Sequence, residues 1–343
     1  MCISVREFQH HDQARWDEFA RSHPLGSTFH QIGWKKTIED NYSHRPRYLL
    51  AERSGRIEAI LPLFLVKNFL AGKALISSPY AVYGGVLANS DEARDALRDS
   101  VRELGRQLGV GYVELRNVDE RQSLGFQPIR RYVTFRQDLS SGPEKLLAGI
   151  PRKTRRMVRK SIKGSLETVP APSLDAFFDL YSRSLRRLGT PCFPRGHFES
   201  ILRHFPDQVE LREIHFEGQP VAAVLSFLYR DEIHPFYGAS DPAYNRLATN
   251  NFMYFDLMRW AHAQGRRWFD FGRSRIGSGS YEFKAHWGME EVALPYEMLL
   301  VKRKELPHLS PANPRFKLAI AVWQRLPLGL TRAVGPHLIE LVP

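Results

Sequence analysis

The chain has 343 residues, 43% of them hydrophobic, with 49 basic and 37 acidic side chains and a net charge of +12. That length exceeds one ordinary hydrophobic core, so two domains with an appendage are expected, and the composition excludes a disordered chain. The charge is localised: seven basic residues between Arg152 and Lys163 contribute +7, residues 302–343 add +5, and everything else is neutral overall.

The opening MCISVREFQHHDQARW has no uninterrupted apolar stretch and no small-residue cleavage site, so it does not read as a secretion signal. No uncharged apolar run reaches the roughly 20 residues of a spanning helix, and a cytoplasmic location is expected. Cys2 and Cys192 lack a second cysteine at metal or redox spacing, and the 13 histidines fall at no ligand spacing, so no metal is expected.

In chain order one or two amphipathic helices are expected first, then a strand, a turn at Gly55 and a second strand, spanning Arg47 to Lys67. The same unit returns from Val209 to Arg230 with its turn at Gly218. Each copy continues with a tyrosine and glycine (Tyr83-Gly84-Gly85, Tyr237-Gly238), then an amphipathic helix, Asp91 to Leu108 or Asn250 to Gln264. Each helix stops at a glycine, Gly109 or Gly265, and a short strand starts at once, from Gly111 or Arg266. Each copy is expected to close with its own last strand, Tyr132 to Asp138 and Tyr296 to Val301. Helices Leu174 to Leu188 and Arg195 to His204 precede the second hairpin.

This order is an α/β architecture of the α+β type with mixed, largely antiparallel sheets, written twice. It divides the chain into 1–148, 149–302 and a helical tail at 303–343. No GxGxxG follows a first strand, which excludes a dinucleotide fold. Between the copies, Pro151 opens an amphipathic helix with Lys153, Arg156, Lys160 and Lys163 on one side and Thr154, Val158 and Ile162 on another. Arg152, Arg155 and Arg156 of this basic stretch are candidate ligands for an anionic substrate or donor, against a merely solvated face.

The copies differ in GRSRIGSGSYEFKAHWG, Gly272 to Gly288, which has no counterpart in the first. Glycines at Gly277 and Gly279 permit close backbone approach to an anion or carbonyl, with Arg273, Ser274 and Ser280 as binding candidates and Lys284 and Tyr281 as catalytic candidates around them. YEFK reads as an extended segment with Glu282 and Lys284 on one side, facing a cleft between the two sheets' edges. Asp270, among aromatic neighbours, either pairs with Arg273 or Arg275 or serves as a general base. Thr249 or Asn250 caps the second long helix, whose N–H groups with Arg246 form an anion site, and Asn251 is a ligand-binding amide or a second cap. Tyr237 is a core aromatic or a substrate contact.

These residues carry a resemblance. IPRKTRRMVRK (150–160), LGTPCFPRGHF (188–198), the Asn250-Asn251 helix start, FDFGRSRIGSGSYEFKAHWG (269–288) and NPRFKLAIAVWQRLPL (313–328) resemble the FemAB-like branch of the GNAT superfamily. The resemblance extends to its group associated with exosortase/PEP-CTERM and exopolysaccharide systems. It implies tandem GNAT folds and transfer of an acyl or aminoacyl group to an amine, with acyl-CoA or aminoacyl-tRNA as donor and no bound cofactor. It also implies that Lys284, matching the FK element, stabilises the reacting carbonyl at the donor end. Two departures stand out. Arg246 to Asn251 replaces the usual CoA-phosphate loop, and Ser140 to Ser173 leaves no room for the helical hairpin of some tRNA-using members. The acceptor expected is an amino sugar or other amine-bearing envelope or glycan precursor. Alternatives are a tRNA-dependent peptidyltransferase and, in another class, a non-catalytic scaffold on a membrane surface or polyanion. The apolar tail from Phe316 to Trp323 is expected to pack on the second domain or to touch the inner face of the membrane.

Overall fold

Both repeat hairpins turn on the same two-residue geometry. Ser54 and Gly55 sit at φ 50° and 77°, Glu217 and Gly218 at 51° and 75°. Two successive positive φ values match the twist of the flanking strands, so Arg53 pairs with Arg56 and Phe216 with Gln219. These features come from a computed structural model that describes residues 2–68, 72–306 and 317–341.

In the first repeat the run to Lys67 is not one hairpin. Pro62, which has no N–H for a ladder, separates strand Arg56–Leu61 from strand Leu63–Asn68, and the two join different sheets. Helix Asp91–Leu108 starts where the Ser90 side chain accepts from Ala93 N and stops at Gly109, φ 61°. It buries Ala93, Leu97 and Val101.

The closing strands are exchanged, which corrects the expectation that each repeat closes its own sheet. Tyr296–Leu300 pairs with Tyr112–Arg116 and Gln127–Ile129 among first-repeat strands. Tyr132–Asp138 pairs with Trp268–Asp270, Ser274–Arg275 and Glu290–Ala293 of the second repeat. Where sequence divides the chain after 148 and 302, packing divides it into two units. Unit 1 is Met1–Arg131, Leu294–Pro314 and Pro336–Pro343, and unit 2 is Tyr132–Ala293 with Arg315–Gly335.

Unit 1 holds two sheets. Ser4–Glu7, Leu49–Arg53, Arg56–Leu61 and Leu87–Ala88 form one; Arg45–Pro46, Leu63–Asn68, Gly72–Ser77, Tyr112–Arg116, Tyr296–Leu300 and Gln127–Ile129 form the other. Unit 2 is one sheet running Leu166–Pro170, Val209–Phe216, Gln219–Tyr229, Glu232–Ser240, Trp268–Asp270, Tyr132–Asp138, Ser274–Arg275. Its single parallel junction among these lies between Glu232–Ser240 and Trp268–Asp270. The fold is thus mixed α/β with largely antiparallel sheets.

The tail forms helices Lys317–Arg325 and Leu328–Ile339, while Arg315 and Phe316 lie outside the described residues. In unit 2 Ile320 packs against Gly189, and Arg332 reaches Asp179 at 2.7 Å. Leu318 and Val322 are left 76% and 50% exposed. No described helix is long and apolar enough to cross a membrane.

Candidate functional site

Strand Trp268–Asp270 has only three residues, and alternation sends them to opposite faces of the unit 2 sheet. Phe269 joins Val133, Phe135 and Ile233 in the core beneath helix Thr249–Ala263. Asp270 lies opposite Arg136 in the register, one residue out of phase with Phe269, and so shares the other face with Thr134, Arg136, Glu232 and His234. Asp270 accepts a hydrogen bond from the Thr134 hydroxyl and one from Gly272 N–H at 2.7 Å. Arg136 donates to Glu232 at 2.5 Å.

Two of these groups depart from ordinary acidity. Burial pushes the Glu232 carboxyl up, the nearby Asp270 charge adds to it, and Arg136 opposes both. Burial lowers His234 to about 4 against the pull of Asp270, so the imidazole is neutral at physiological pH. Gly272 is glycine by necessity: its φ is +74°, and a Cβ there would lie 2.5 Å from His234 Nε2.

Lys284 approaches from helix Gly279–Ala285, whose N-cap Ser278 accepts from Tyr281 N. This helix corrects the expected extended YEFK. In a helix two residues are about 200° apart, so Glu282 and Lys284 do not share a side. The turn at Gly272 lets three successive carbonyls converge on the lysine. Its Nζ donates to Phe271 O at 2.6 Å and Gly272 O at 2.8 Å, with Arg273 O at 3.4 Å. An ammonium has three donors, so two are firmly held and the third is weakly committed. Burial lowers this amine to about 8, Asp270 opposing and Arg273 reinforcing the shift.

Around it, Arg273 stacks its guanidinium over the Tyr132 ring at 5.1 Å. Ser274 is 2% exposed, and its Oγ has no hydrogen-bond partner among the described residues. Gly277, at φ +75°, Gly279 and Ser280 are exposed. The Tyr281 hydroxyl donates to Glu291 at 2.9 Å, which raises its pKa.

The other candidates are held by local contacts of their own. Tyr237 is buried among Phe193, Phe198 and Tyr181, with its hydroxyl 2.8 Å from His197 Nε2. Helix Thr249–Ala263 has Ala248 at its N-cap, at φ 56° and without a side-chain cap. Thr249 is buried and donates to Tyr244 O instead, which corrects the cap at Thr249 or Asn250. Arg246 is exposed, and Asn250 and Asn251 are half-buried in the helix's first turn. The basic helix is Arg152–Ile162, buried through Thr154, Val158 and Ser161, with Ile162 42% exposed in place of the packed position expected. Its Arg152 and Arg156 are exposed, while Arg155 donates to Ala148 O at 2.5 Å. Thr154 bonds His286 O at 2.7 Å, so this helix begins against the end of the helix carrying Lys284.

Thr134, Arg136, Glu232 and His234 were not singled out from sequence. Their signal was the alternation Val133-Thr134-Phe135-Arg136 and Glu232-Ile233-His234, polar against apolar at period two. Among the described residues no three His, Cys, Asp or Glu side chains gather as metal ligands. The arrangement offers a polarised, partly buried ammonium at a strand end, suited to a developing negative charge.

Residues 150–285 match the family of the acetyltransferase (GNAT) domain. FemX is similar in structure, with TM-score 0.68 and 16% identity over 92% of this chain and 100% of that one. L-PGS from Bacillus licheniformis gives 0.56 and 14% over 96% and 98%. A tandem GNAT protein from the clavulanic acid biosynthesis pathway gives 0.55 and 10% over 88% and 100%. No curated protein matches the chain in sequence. At the level of the fold, the Fem-type tandem GNAT resemblance holds.

Proposed function

We propose that this chain, whose residues 150–285 form an acetyltransferase (GNAT) domain, transfers an acyl or aminoacyl group to an amine. The observation that carries this is the Lys284 ammonium, fixed by two carbonyls with its third N–H held only at 3.4 Å. A donor carbonyl oxygen replaces that third contact as the amine attacks, and the ammonium stabilises the oxyanion of the tetrahedral intermediate. The new C–N bond forms, the donor's thioester or ester bond breaks, and the amine's proton leaves with the thiol or hydroxyl product. Alignment of two bound reactants supplies the rest of the acceleration, so no covalent enzyme intermediate is needed.

The acceptor we propose is an amino sugar or amine of an envelope or exopolysaccharide precursor, and the donor an acyl-CoA. The exposed basic side of helix Arg152–Ile162 supports a second reading, with aminoacyl-tRNA as donor. The exposed Leu318 and Val322 support peripheral contact with a membrane face. Mass spectrometry of the purified chain with each donor class and a panel of amines tests the reading; absence of transfer from every donor removes it. If tRNA is the donor, its affinity falls steeply with salt, and Arg152→Gln with Arg156→Gln flattens that slope by about two.

A further inference from the structure

Helix Asp175–Leu188 places three arginines within five positions, and in unit 2 they border a cavity of about 500 Å³. That volume lies within the roughly 300–1,000 Å³ of small-molecule sites. Its polar lining is Arg183, Ser184, Arg186 and Arg187 from this helix, Ser240 at the end of its strand, and Gln324 from the tail helix.

The local charge is not balanced. Asp179 is shared by Arg183 at 2.8 Å and Arg332 at 2.7 Å. Asp241, also at the cavity, is engaged in capping Ala243 N at 2.9 Å. Arg187 has no carboxylate partner among the described residues. Arg186 gives one N–H to Leu326 O at 3.1 Å, and its Nε is buried with no partner. Arg183 and Arg187 are exposed, so the orphaned donor is the single Arg186 Nε, and one buried guanidinium donor without an acceptor is costly unless a ligand supplies it.

We propose that this cavity binds the phosphate of a phosphate ester. One guanidinium fork satisfies a monocarboxylate, whereas several forks with two serine hydroxyls suit the multiple oxygens and higher charge of a phosphoryl group. Beside the cavity, helix Lys317–Arg325 lies against the end of helix Asp175–Leu188, with Ile320 packed against Gly189 and Gln324 donating to Arg187 O at 2.9 Å. Leu188, Leu318 and Val322 are 56%, 76% and 50% exposed there, a surface that suits hydrocarbon. The ester is therefore carried by a soluble molecule or by a lipid. The inference rests on the acyl-transfer reading only for taking an amine-bearing ester, such as glucosamine 6-phosphate, as the acceptor.

The test is direct binding to the full chain of glucosamine 6-phosphate, by calorimetry, and of phosphatidic acid vesicles, by co-sedimentation. Arg186→Gln with Arg187→Gln weakens whichever source binds by at least about tenfold, the scale of one lost charge-assisted hydrogen bond. Arg187→Gln alone, which removes no contact to a carboxylate, weakens it severalfold at an unchanged melting temperature, and Arg98→Gln on the unit 1 surface leaves it unchanged. A parent chain that binds neither source overturns the proposal, as does equal binding by parent and both arginine variants. Because the readout is binding and not turnover, failure here leaves the acyl-transfer reading standing, and failure of that reading leaves the site standing.

Discussion

Glu297 in unit 1 and Asp270 in unit 2 are carboxylates only 3% and 1% exposed, each at the seam where an exchanged strand joins its sheet. Glu297 rides on the exchanged strand and receives Asn117 Nδ2 at 2.9 Å, Ser123 Oγ at 2.8 Å, Leu124 N at 2.7 Å and Phe126 N at 2.9 Å. Four donors meet its two oxygens, so its charge is spent on holding the strand. Asp270 accepts from the exchanged Thr134 and from Gly272, and around it Glu232, His234 and Lys284 are all displaced from ordinary acidity. A closed donor set marks a fastening, and a set of titrating groups displaced by burial marks a place suited to proton or charge chemistry.

Lys284→Ala separates the two most sharply. Losing an oxyanion donor costs about 2.7 to 4 kcal/mol of barrier, so turnover should fall at least a hundredfold in a folded protein. Lys284→Arg should restore little, because a planar guanidinium cannot place its charge among three carbonyls as an ammonium does. Near-normal turnover in folded Lys284→Ala reduces the lysine to a brace for the 271–273 turn.

Glu297→Gln is the reciprocal change. The amide keeps one oxygen and turns an NH2 toward donors, so orphaned groups at about 1 to 3 kcal/mol each should lower unfolding stability by roughly 3 kcal/mol. Urea titration of the full chain reads this, and turnover per folded molecule should stay within about twofold at a cost this local. Lost turnover without lost stability would erase the contrast between the two seams.

The pH profile sharpens it further. Lys284 is charged below about 8, so catalysis that needs the ammonium should fall as pH rises through 8. Its folded value lies below its ordinary 10.5, so charging it in the folded state is unfavourable, and stability should rise between pH 8 and 10.5. Turnover and stability thus move in opposite directions over that window. In Lys284→Met the stability rise should shrink; a parent whose activity increases above pH 8 would make the lysine a base.

Local chemistry was legible in the sequence, and pairing between distant segments was not. The turns at Gly55 and Gly218 and the helix stop at Gly109 each declare themselves within a few residues. The strand exchange has no such signal, because Tyr132–Asp138 and Tyr296–Leu300 each suit either sheet by alternation alone. Assigning Tyr132–Asp138 to the first repeat hid Thr134 and Arg136 from the site. YEFK misled for a different reason: Tyr281 and Phe283 both pack on the core although the segment is helical, so burial mimics a strand's alternation. The capping Ser278 was the contrary signal.

Tyr281→Phe is the smallest change and bears on which side chains besides Lys284 belong to the chemistry. The ring packs on Phe135 at 5.6 Å and the hydroxyl donates to Glu291 at 2.9 Å on strand Glu290–Ala293. Phenylalanine keeps the ring contact and removes only a solvent-accessible hydrogen bond. A hydroxyl already committed to a carboxylate, with its pKa raised by that bond, is a poor proton donor to a leaving group. Turnover should therefore change by less than about threefold, the scale of one modest hydrogen bond. Glu291→Gln should behave alike, since it weakens the same bond from the other end. A loss above tenfold in Tyr281→Phe with an intact melting transition, absent in Glu291→Gln, would show that the hydroxyl leaves Glu291 when substrate binds. Two donors, lysine and tyrosine, would then share the oxyanion, and Lys284→Ala should fall short of its full hundredfold.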